Sequence, residues 1–275
     1  MTVTRFAPSP TGLLHLGHAF AALTAAAAGE RFLVRIEDID AARARPEYES
    51  AIFEDLAWLG LTWETPVLRQ SERMPVYRDA LAVLEEKGLL YPCFCTRQDI
   101  LNSGEAPHGP DGPLYPGTCR SLSGAERAER ITSGKPFALR LDTAKAAALA
   151  GELFFEEKGL SPNGEHGRIE VDPRLFGDVV LARKDTPTSY HLAVVVDDAF
   201  QGVDLVTRGN DLFAAAHIQR LLQALLGLPA PAYAHHRLIL DEQGKKFSKR
   251  DRSVTLRSLR EAGVTPEEIK ARLGF

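Results

Sequence analysis

The stretch Arg5-Phe-Ala-Pro-Ser-Pro-Thr-Gly-Leu-Leu-His-Leu-Gly-His18 constrains what this chain can become more than any other part of its 275 residues. Pro8 and Pro10 exclude a helix and force an extended turn. Gly12 and Gly17 let the backbone approach something bulky. A short β-like segment, Val3 to Phe6, precedes the turn, and Ala19 to Ala28 reads as a helix of very small residues. A strand, a tight Gly/Pro turn and a helix start present a helix N-terminus to phosphate groups. His15 and His18 add donors that can neutralise a developing negative charge.

The residues up to about 90 repeat that rhythm. Arg31 to Ile36 is a short apolar strand ending in Glu37, Asp38 and Asp40. Acids at a strand's C-terminal end, beside a Gly-rich first turn, lie where open α/β sheets bind ligands. Pro46 opens a helix to about Trp58, with Ile52, Phe53, Leu56 and Leu59 on one face, and Phe53, Trp58 and Trp63 are assigned to the core. Val67 to Gln70 is a further strand. Ser71 is read as the cap of a helix carrying Tyr77, Leu81, Leu84 and Leu89 and stopped by Gly88. The order β-α-β-α-β-α is half of a doubly wound sheet.

A second half follows later. Asp178 to Arg183 reads as a strand. His191 to Asp198, a continuous apolar run ending in acids, reads as a parallel strand buried on both faces. Asp211 is the expected cap of a helix from 212 to 226, and Tyr233 to Leu240 is the last strand. Between the halves, Tyr91 to Arg120 breaks the pattern. It holds Cys93, Cys95 and Cys119, the only cysteines of the chain. Three thiols cannot all pair, and thirty residues with little core of their own need a staple. Three thiolates suit a tetrahedral metal site that wants a fourth ligand. His108 is the conventional fourth ligand and Tyr115 the unconventional one. Ser123 to Ser133 reads as a helix, Lys135 to Asp142 as a strand, and Leu153 to Glu156 and Arg168 to Val171 as weak strands.

The formal net charge of -4 excludes a generally basic nucleic-acid binder, so local clusters matter more. Lys245, Lys246, Lys249, Arg250, Arg252, Arg257 and Arg260 crowd one stretch that could meet phosphates. No run reaches the roughly 18 apolar residues of a membrane span, and the N-terminus lacks a secretory pattern. A cytoplasmic protein without membrane association is expected. With no apolar interface stripe, a monomer is expected as well.

The Arg5 to His18 run resembles the HIGH signature of class I aminoacyl-tRNA synthetases in its glutamyl/glutaminyl form. Lys246-Phe-Ser-Lys-Arg250 resembles their KMSKS loop, with Phe for Met and Arg for the last Ser. Arg35-Ile-Glu37-Asp-Ile-Asp40, the Tyr190 to Asp197 run and Arg208-Gly-Asn-Asp211 resemble the amino-acid pocket of the glutamyl branch. About twenty-five residues follow Arg250, where full glutamyl synthetases carry anticodon-binding domains. That shortening, with Cys-x-Cys…Tyr-x-x-x-Cys, resembles the glutamyl-queuosine tRNA(Asp) synthetases.

The resemblance implies an α/β, Rossmann-type catalytic domain with a zinc-containing insertion and no anticodon-binding domain. Its expected divisions are residues 1–90, the first half of the nucleotide-binding domain; 91–175, an inserted zinc-binding, acceptor-like subdomain; 176–240, the second half; and 241–275, the KMSKS-like loop and C-terminal helices. It implies a ligase that activates L-glutamate with ATP and Mg²⁺, without tRNA. The glutamate would pass to queuosine at the wobble position of tRNA(Asp). A shortened glutamyl-tRNA synthetase charging the acceptor end, or a non-catalytic paralogue binding tRNA or glutamate, are the alternatives. The implied catalytic residues are His15, His18 and Lys249. ATP is met by His15, Gly17, His18, Lys246 and Lys249, and glutamate by Arg5, Ser9, Glu37, Tyr190 and Arg208. One structural Zn²⁺ is held by Cys93, Cys95, Tyr115 and Cys119.

Overall fold

The computed structural model describes residues 1–101, 108–110, 112–240 and 254–275. Its first elements are β1 (Val3–Phe6), α1 (Leu16–Ala28), β2 (Arg31–Ile36), α2 (Pro46–Trp58), β3 (Leu68–Arg69) and α3 (Met74–Glu86). This is the expected alternation, and β1, β2 and β3 pair in parallel. α1 buries Ala19, Ala22 and Ala25 completely, and such small side chains let it lie close to the strands beneath. A side chain at Gly29, where α1 turns into β2, would collide with Thr4. Ser71 does not cap α3. It lies in a 3-10 turn, Gln70–Arg73, where its amide and hydroxyl donate to the Asp38 carboxylate at 2.8 and 2.6 Å. Phe53, Trp58 and Trp63 are half-buried against the core, with Phe53 stacked on Trp63.

Next come β4 (Leu90–Cys93), α4 (Arg97–Leu101), β5 (His108–Gly109), β6 (Gly112–Pro113), α5 (Gly124–Thr132), β7 (Ala138–Leu141), α6 (Thr143–Ala150), β8 (Phe154–Glu157), β9 (Gly167–Glu170) and β10 (Val180–Ala182). β4 and β10 flank β7 in an antiparallel sheet. The strand anticipated at Asp178 to Arg183 therefore pairs with the middle region. Ser123 caps α5 reciprocally with Glu126. α6 was not anticipated; it is an Ala-rich helix capped by Asp142. The β8–β9 hairpin leaves the middle region and joins the sheet formed by the last strands.

The chain ends with α7 (Tyr190–Phe200), β11 (Leu205–Gly209), α8 (Ala215–Leu226), β12 (Ala232–His236), α9 (Leu256–Glu261) and α10 (Pro266–Leu273). The sheet order is β11-β12-β8-β9. β1 lies beside β11, where the Asp204 amide donates to the Val3 carbonyl and its carboxylate accepts from the Val3 amide. That contact brings the two parallel halves together.

The expected strand from His191 to Asp198 is instead the body of helix α7. Ser189 caps it by accepting from the Leu192 amide. Residues 192 to 198 are all buried, because the helix is packed against α3 and α8 in the largest core cluster. A short apolar run has no visible period, so packing on several sides turns Val194-Val195-Val196 helical against its β preference. Asp211 likewise lies in a 3-10 turn, Asn210–Leu212, and α8 begins after Ala214 without a side-chain cap. Among the described residues no helix is long and apolar enough to cross a membrane.

Candidate active site

The turn after β1 is held from both sides. The Glu37 amide donates to the Pro8 carbonyl at 3.0 Å, and the Arg45 amide to the Pro10 carbonyl at 2.9 Å. The prolines cannot donate, but their carbonyls still anchor the loop. The turn delivers His15 as the N-cap of α1. Its Nδ1 accepts from the Gly17 amide at 3.1 Å, and His18 Nδ1 accepts from the His15 amide at 3.2 Å. With both Nδ1 atoms accepting, the neutral rings carry their hydrogen on Nε2. A Cβ at Gly17 would come within 3.1 Å of the His15 ring, so the glycine makes room for the cap.

Arg5, Ser9, His18, Glu37, Tyr190 and Arg208 line one cavity of about 270 Å³. They come from β1, its following loop, α1, the end of β2, the first residue of α7 and β11. The cavity thus lies at the C-terminal ends of parallel strands, the ligand position of open α/β sheets. His15 is close by through its ring contact with His18, at 3.8 Å between centroids. Lys246 and Lys249 lie outside the described residues. Arg257 and Arg260, part of the basic cluster anticipated to meet phosphates, instead face Glu54 on α2 at 3.7 and 3.2 Å.

Beneath the cavity is a buried ion network. Asp198 accepts from Arg5 Nε at 3.0 Å and from Arg35 Nη1 at 2.8 Å. Arg35 is wholly buried and also donates to Glu37 at 3.2 Å. Burial alone would raise the Asp198 carboxyl, but Arg5 and Arg35 hold it below the ordinary carboxylate range. Burial prevails at Glu37, which is raised despite Arg35 and Arg5. A guanidinium has five N–H donors. Arg5 commits three of them, to both Asp198 oxygens and the Thr207 carbonyl, and two have no partner among the described residues. The sequence gives Asp198 no role in the site and Arg35 only a place in the Arg35 to Asp40 run. Their signal was weak: two acids at the end of an apolar run, and an arginine at an inward position of a buried strand.

Arg208 differs from Arg5. It is 6% exposed, donates from Nε to His235 Nε2 at 3.0 Å and from Nη1 to Gln219 at 2.8 Å. Its Nη2 is buried and has no hydrogen-bond partner among the described residues. An orphan cationic donor is costly to bury unless an anion completes it.

The cysteine cluster lies away from this cavity. The Sγ atoms of Cys93, Cys95 and Cys119 lie within 4.8 Å of one another. The Tyr115 hydroxyl is 3.6 Å from Cys95 Sγ and accepts from the Cys119 amide at 2.7 Å. Burial pushes the Cys95 thiol up to about 11. At Cys119 burial is outweighed by hydrogen bonds from Tyr115 and the Phe94 amide, which bring the thiol down to about 7. Three converging sulfurs with an oxygen beside them are a donor set a tetrahedral metal accepts. The His108 side chain lies outside the described residues.

The family model described as tRNA synthetases class I (E and Q), catalytic domain, matches residues 1–274. The chain belongs to this family. A glutamyl-Q tRNA(Asp) synthetase of Rhodobacter capsulatus is 52% identical across 99% of this chain and 100% of its own length. One from Nocardia farcinica is 47% identical across 98% of this chain and 82% of its own length. A glutamate–tRNA ligase of Aquifex aeolicus is 40% identical, with 97% of this chain spanning only 55% of that enzyme. Among solved structures, a glutamate tRNA ligase from Elizabethkingia meningosepticum in complex with its amino acid matches 91% of this chain and 52% of its own, with a TM-score of 0.72 and 29% identity.

Proposed function

We propose that the chain is a glutamyl-Q tRNA(Asp) synthetase. It activates L-glutamate with ATP in the absence of tRNA and transfers it to the queuosine base at the wobble position of tRNA(Asp). The observation that carries the glutamate reading is the cavity itself. It combines one carboxylate, Glu37, with two arginines, one holding an orphan donor. Glutamate has one ammonium and two carboxylates, so Glu37 takes the ammonium and Arg5 and Arg208 the carboxylates. Ser9 and Tyr190 add hydroxyl contacts. The acceptor is supported by the relatives matched over 82% to 100% of their own length, which carry the glutamyl-Q name.

In the first step a glutamate carboxylate oxygen attacks the α-phosphorus of ATP, and the bond to the bridging oxygen of pyrophosphate breaks. No protein nucleophile is required; the site aligns the reactants and neutralises charge. His15 and His18 donate from Nε2 to phosphate oxygens beside Gly17. Lys246 and Lys249 hold the β- and γ-phosphates, and Mg²⁺ accompanies ATP, bound mainly by phosphate and water. In the second step a queuosine hydroxyl attacks the adenylate carbonyl. An ester forms, AMP leaves, and its phosphate takes the hydroxyl proton. Away from the chemistry, Cys93, Cys95, Cys119 and Tyr115 would hold one structural Zn²⁺, which would fasten the middle region.

The test is charging with radioactive glutamate and ATP on two tRNA pools, from cells that make queuosine and cells that cannot. Label on the queuosine-containing pool alone is expected. Equal label on both would make the chain an acceptor-end glutamyl-tRNA synthetase, and none on either would remove the transfer activity.

A further inference from the structure

Two buried titratable groups that the proposed reaction does not use stand directly behind the cavity. His235, on β12, and Glu157, on β8, are 2% and 0% exposed. His235 Nδ1 lies 2.5 Å from Glu157 Oε2, while Glu157 Oε1 accepts from the amides of His235 and Gly159 at 3.0 and 2.8 Å. Arg208 Nε can only donate, so His235 Nε2 accepts from it and the neutral ring carries its hydrogen on Nδ1, where it donates to Glu157 Oε2.

The charge states agree with this geometry. Burial would raise Glu157, but the His235 ring and the backbone donors hold it below the ordinary range. Burial pushes His235 down, and Arg208 adds to that. A neutral ring is what Arg208 requires, because a protonated one would oppose N–H to N–H and cation to cation. With Nε on His235 and Nη1 on Gln219, the guanidinium plane is fixed on two edges. The edge left without a partner is Nη2.

We infer that Glu157 and His235 are positioning residues for Arg208, acting in series to aim its Nη2 edge at a carboxylate of the amino-acid substrate. The inference rests on the glutamate reading of the cavity. Arginine side chains have many rotamers, and binding weakens when a forked donor must be ordered at the moment of recognition. The pair removes that cost in advance. It also accounts for a buried histidine and a buried acid on neighbouring strands.

The experiment is ATP–pyrophosphate exchange by the full chain, with KM for glutamate and for ATP measured separately. His235→Ala is expected to raise KM for glutamate by about tenfold or more while KM for ATP stays within about twofold. His235→Gln places an amide oxygen near the position of Nε2 and is expected to restore KM for glutamate to within about threefold of the wild-type value. Glu157→Gln, which turns one accepting oxygen into a donor, raises KM for glutamate with His235 present and has little further effect in the His235→Gln background. An unchanged KM for glutamate in His235→Ala overturns the inference. So does a parallel rise in both KM values without rescue by His235→Gln, which is what loss of packing alone would produce. Failure of the glutamate reading is separately visible: the wild-type protein would then show no glutamate-dependent exchange, and this inference would fall with it.

Discussion

The cavity and the cysteine cluster are both built from groups that are expensive to bury, and they meet that expense in opposite ways. The cavity floor is completed by the protein. Asp198 lies between Arg5 and Arg35, partners 193 and 163 residues away in sequence, with hydrogen bonds of 3.0 and 2.8 Å. The cysteine cluster is local. Its four members fall between Cys93 and Cys119 and share a small hydrophobic cluster with Tyr91 and Phe94. Its sulfurs and phenol contact one another at 3.6 Å, weak exchanges between groups that a metal would bind far more strongly. A site that must admit and release a substrate is rigid before the substrate comes. A structural staple can leave its own completion to an ion that stays.

The strongest way to break this contrast is Asp198→Ala. It strands two buried guanidiniums, and loss of one member of such a group costs about 3–5 kcal/mol. Urea denaturation should show that loss, with soluble yield falling alongside. Survival with near wild-type stability would mean that the floor is not completed internally. Next is metal removal. Treatment with a strong chelator, or Cys119→Ala, should lower Tm by about 5 °C or more, while isothermal titration still shows glutamate binding. Equal loss of glutamate binding would mean that the two regions are one cooperative unit.

Glu37→Gln probes the part of the cavity that awaits its ligand. Removing the proposed partner of the substrate ammonium should raise KM for glutamate about ten- to a hundredfold, with little change in stability. Tyr115→Phe sharpens the other side. It removes the oxygen that approaches Cys95 and accepts from the Cys119 amide. Zinc affinity in a competition titration should fall about tenfold; unchanged affinity and stoichiometry would exclude the phenol as a ligand.

The smallest effect concerns another buried acid. Asp55 on α2 is fully buried, and its oxygens have no hydrogen-bond partner among the described residues; Arg260 stands 3.9 Å away. Burial raises its carboxyl from 3.8 to about 6, against the pull of Arg260 and Arg257. Between those two values the native state keeps a proton that the unfolded chain has released. The native form therefore binds more protons, and stability falls as pH rises through that window. Asp55→Asn should stabilise the protein by about 1 kcal/mol at pH 7 and by nothing near pH 4. A pH-independent effect would assign the change to packing instead. Beside Asp198, Asp55 shows what an acid loses when its cation stands near without a hydrogen bond.

Much of the fold and the site could be read from local sequence. The first three strands and helices follow from proline, glycine and apolar spacing. The His15–Gly17–His18 cap spans four residues, and the Cys93–Cys95 pair three, so their relations are set by the chain itself. The capping boxes at Ser123 and Thr265 are of the same kind. The charge inventory of the cavity, one acid and two arginines, was legible through charge complementarity together with the family resemblance.

Tertiary structure decided the rest. Tyr190 to Phe200 became a helix because packing against α3 and α8 outweighed the β preference of three consecutive valines. Asp198 reached Arg5 and Arg35, and His235 reached Arg208 with Glu157 behind it, only because strands and a helix distant in sequence came to lie side by side. Hydrogen bonds act over about 3 Å, whereas the order of residues along a chain says nothing of distance once the chain turns back on itself. The sequence by itself determined which chemical groups this protein brings to its cavity. The tertiary structure alone decided which of them spend their donors on one another and which atom, Arg208 Nη2, is left without a partner among the described residues.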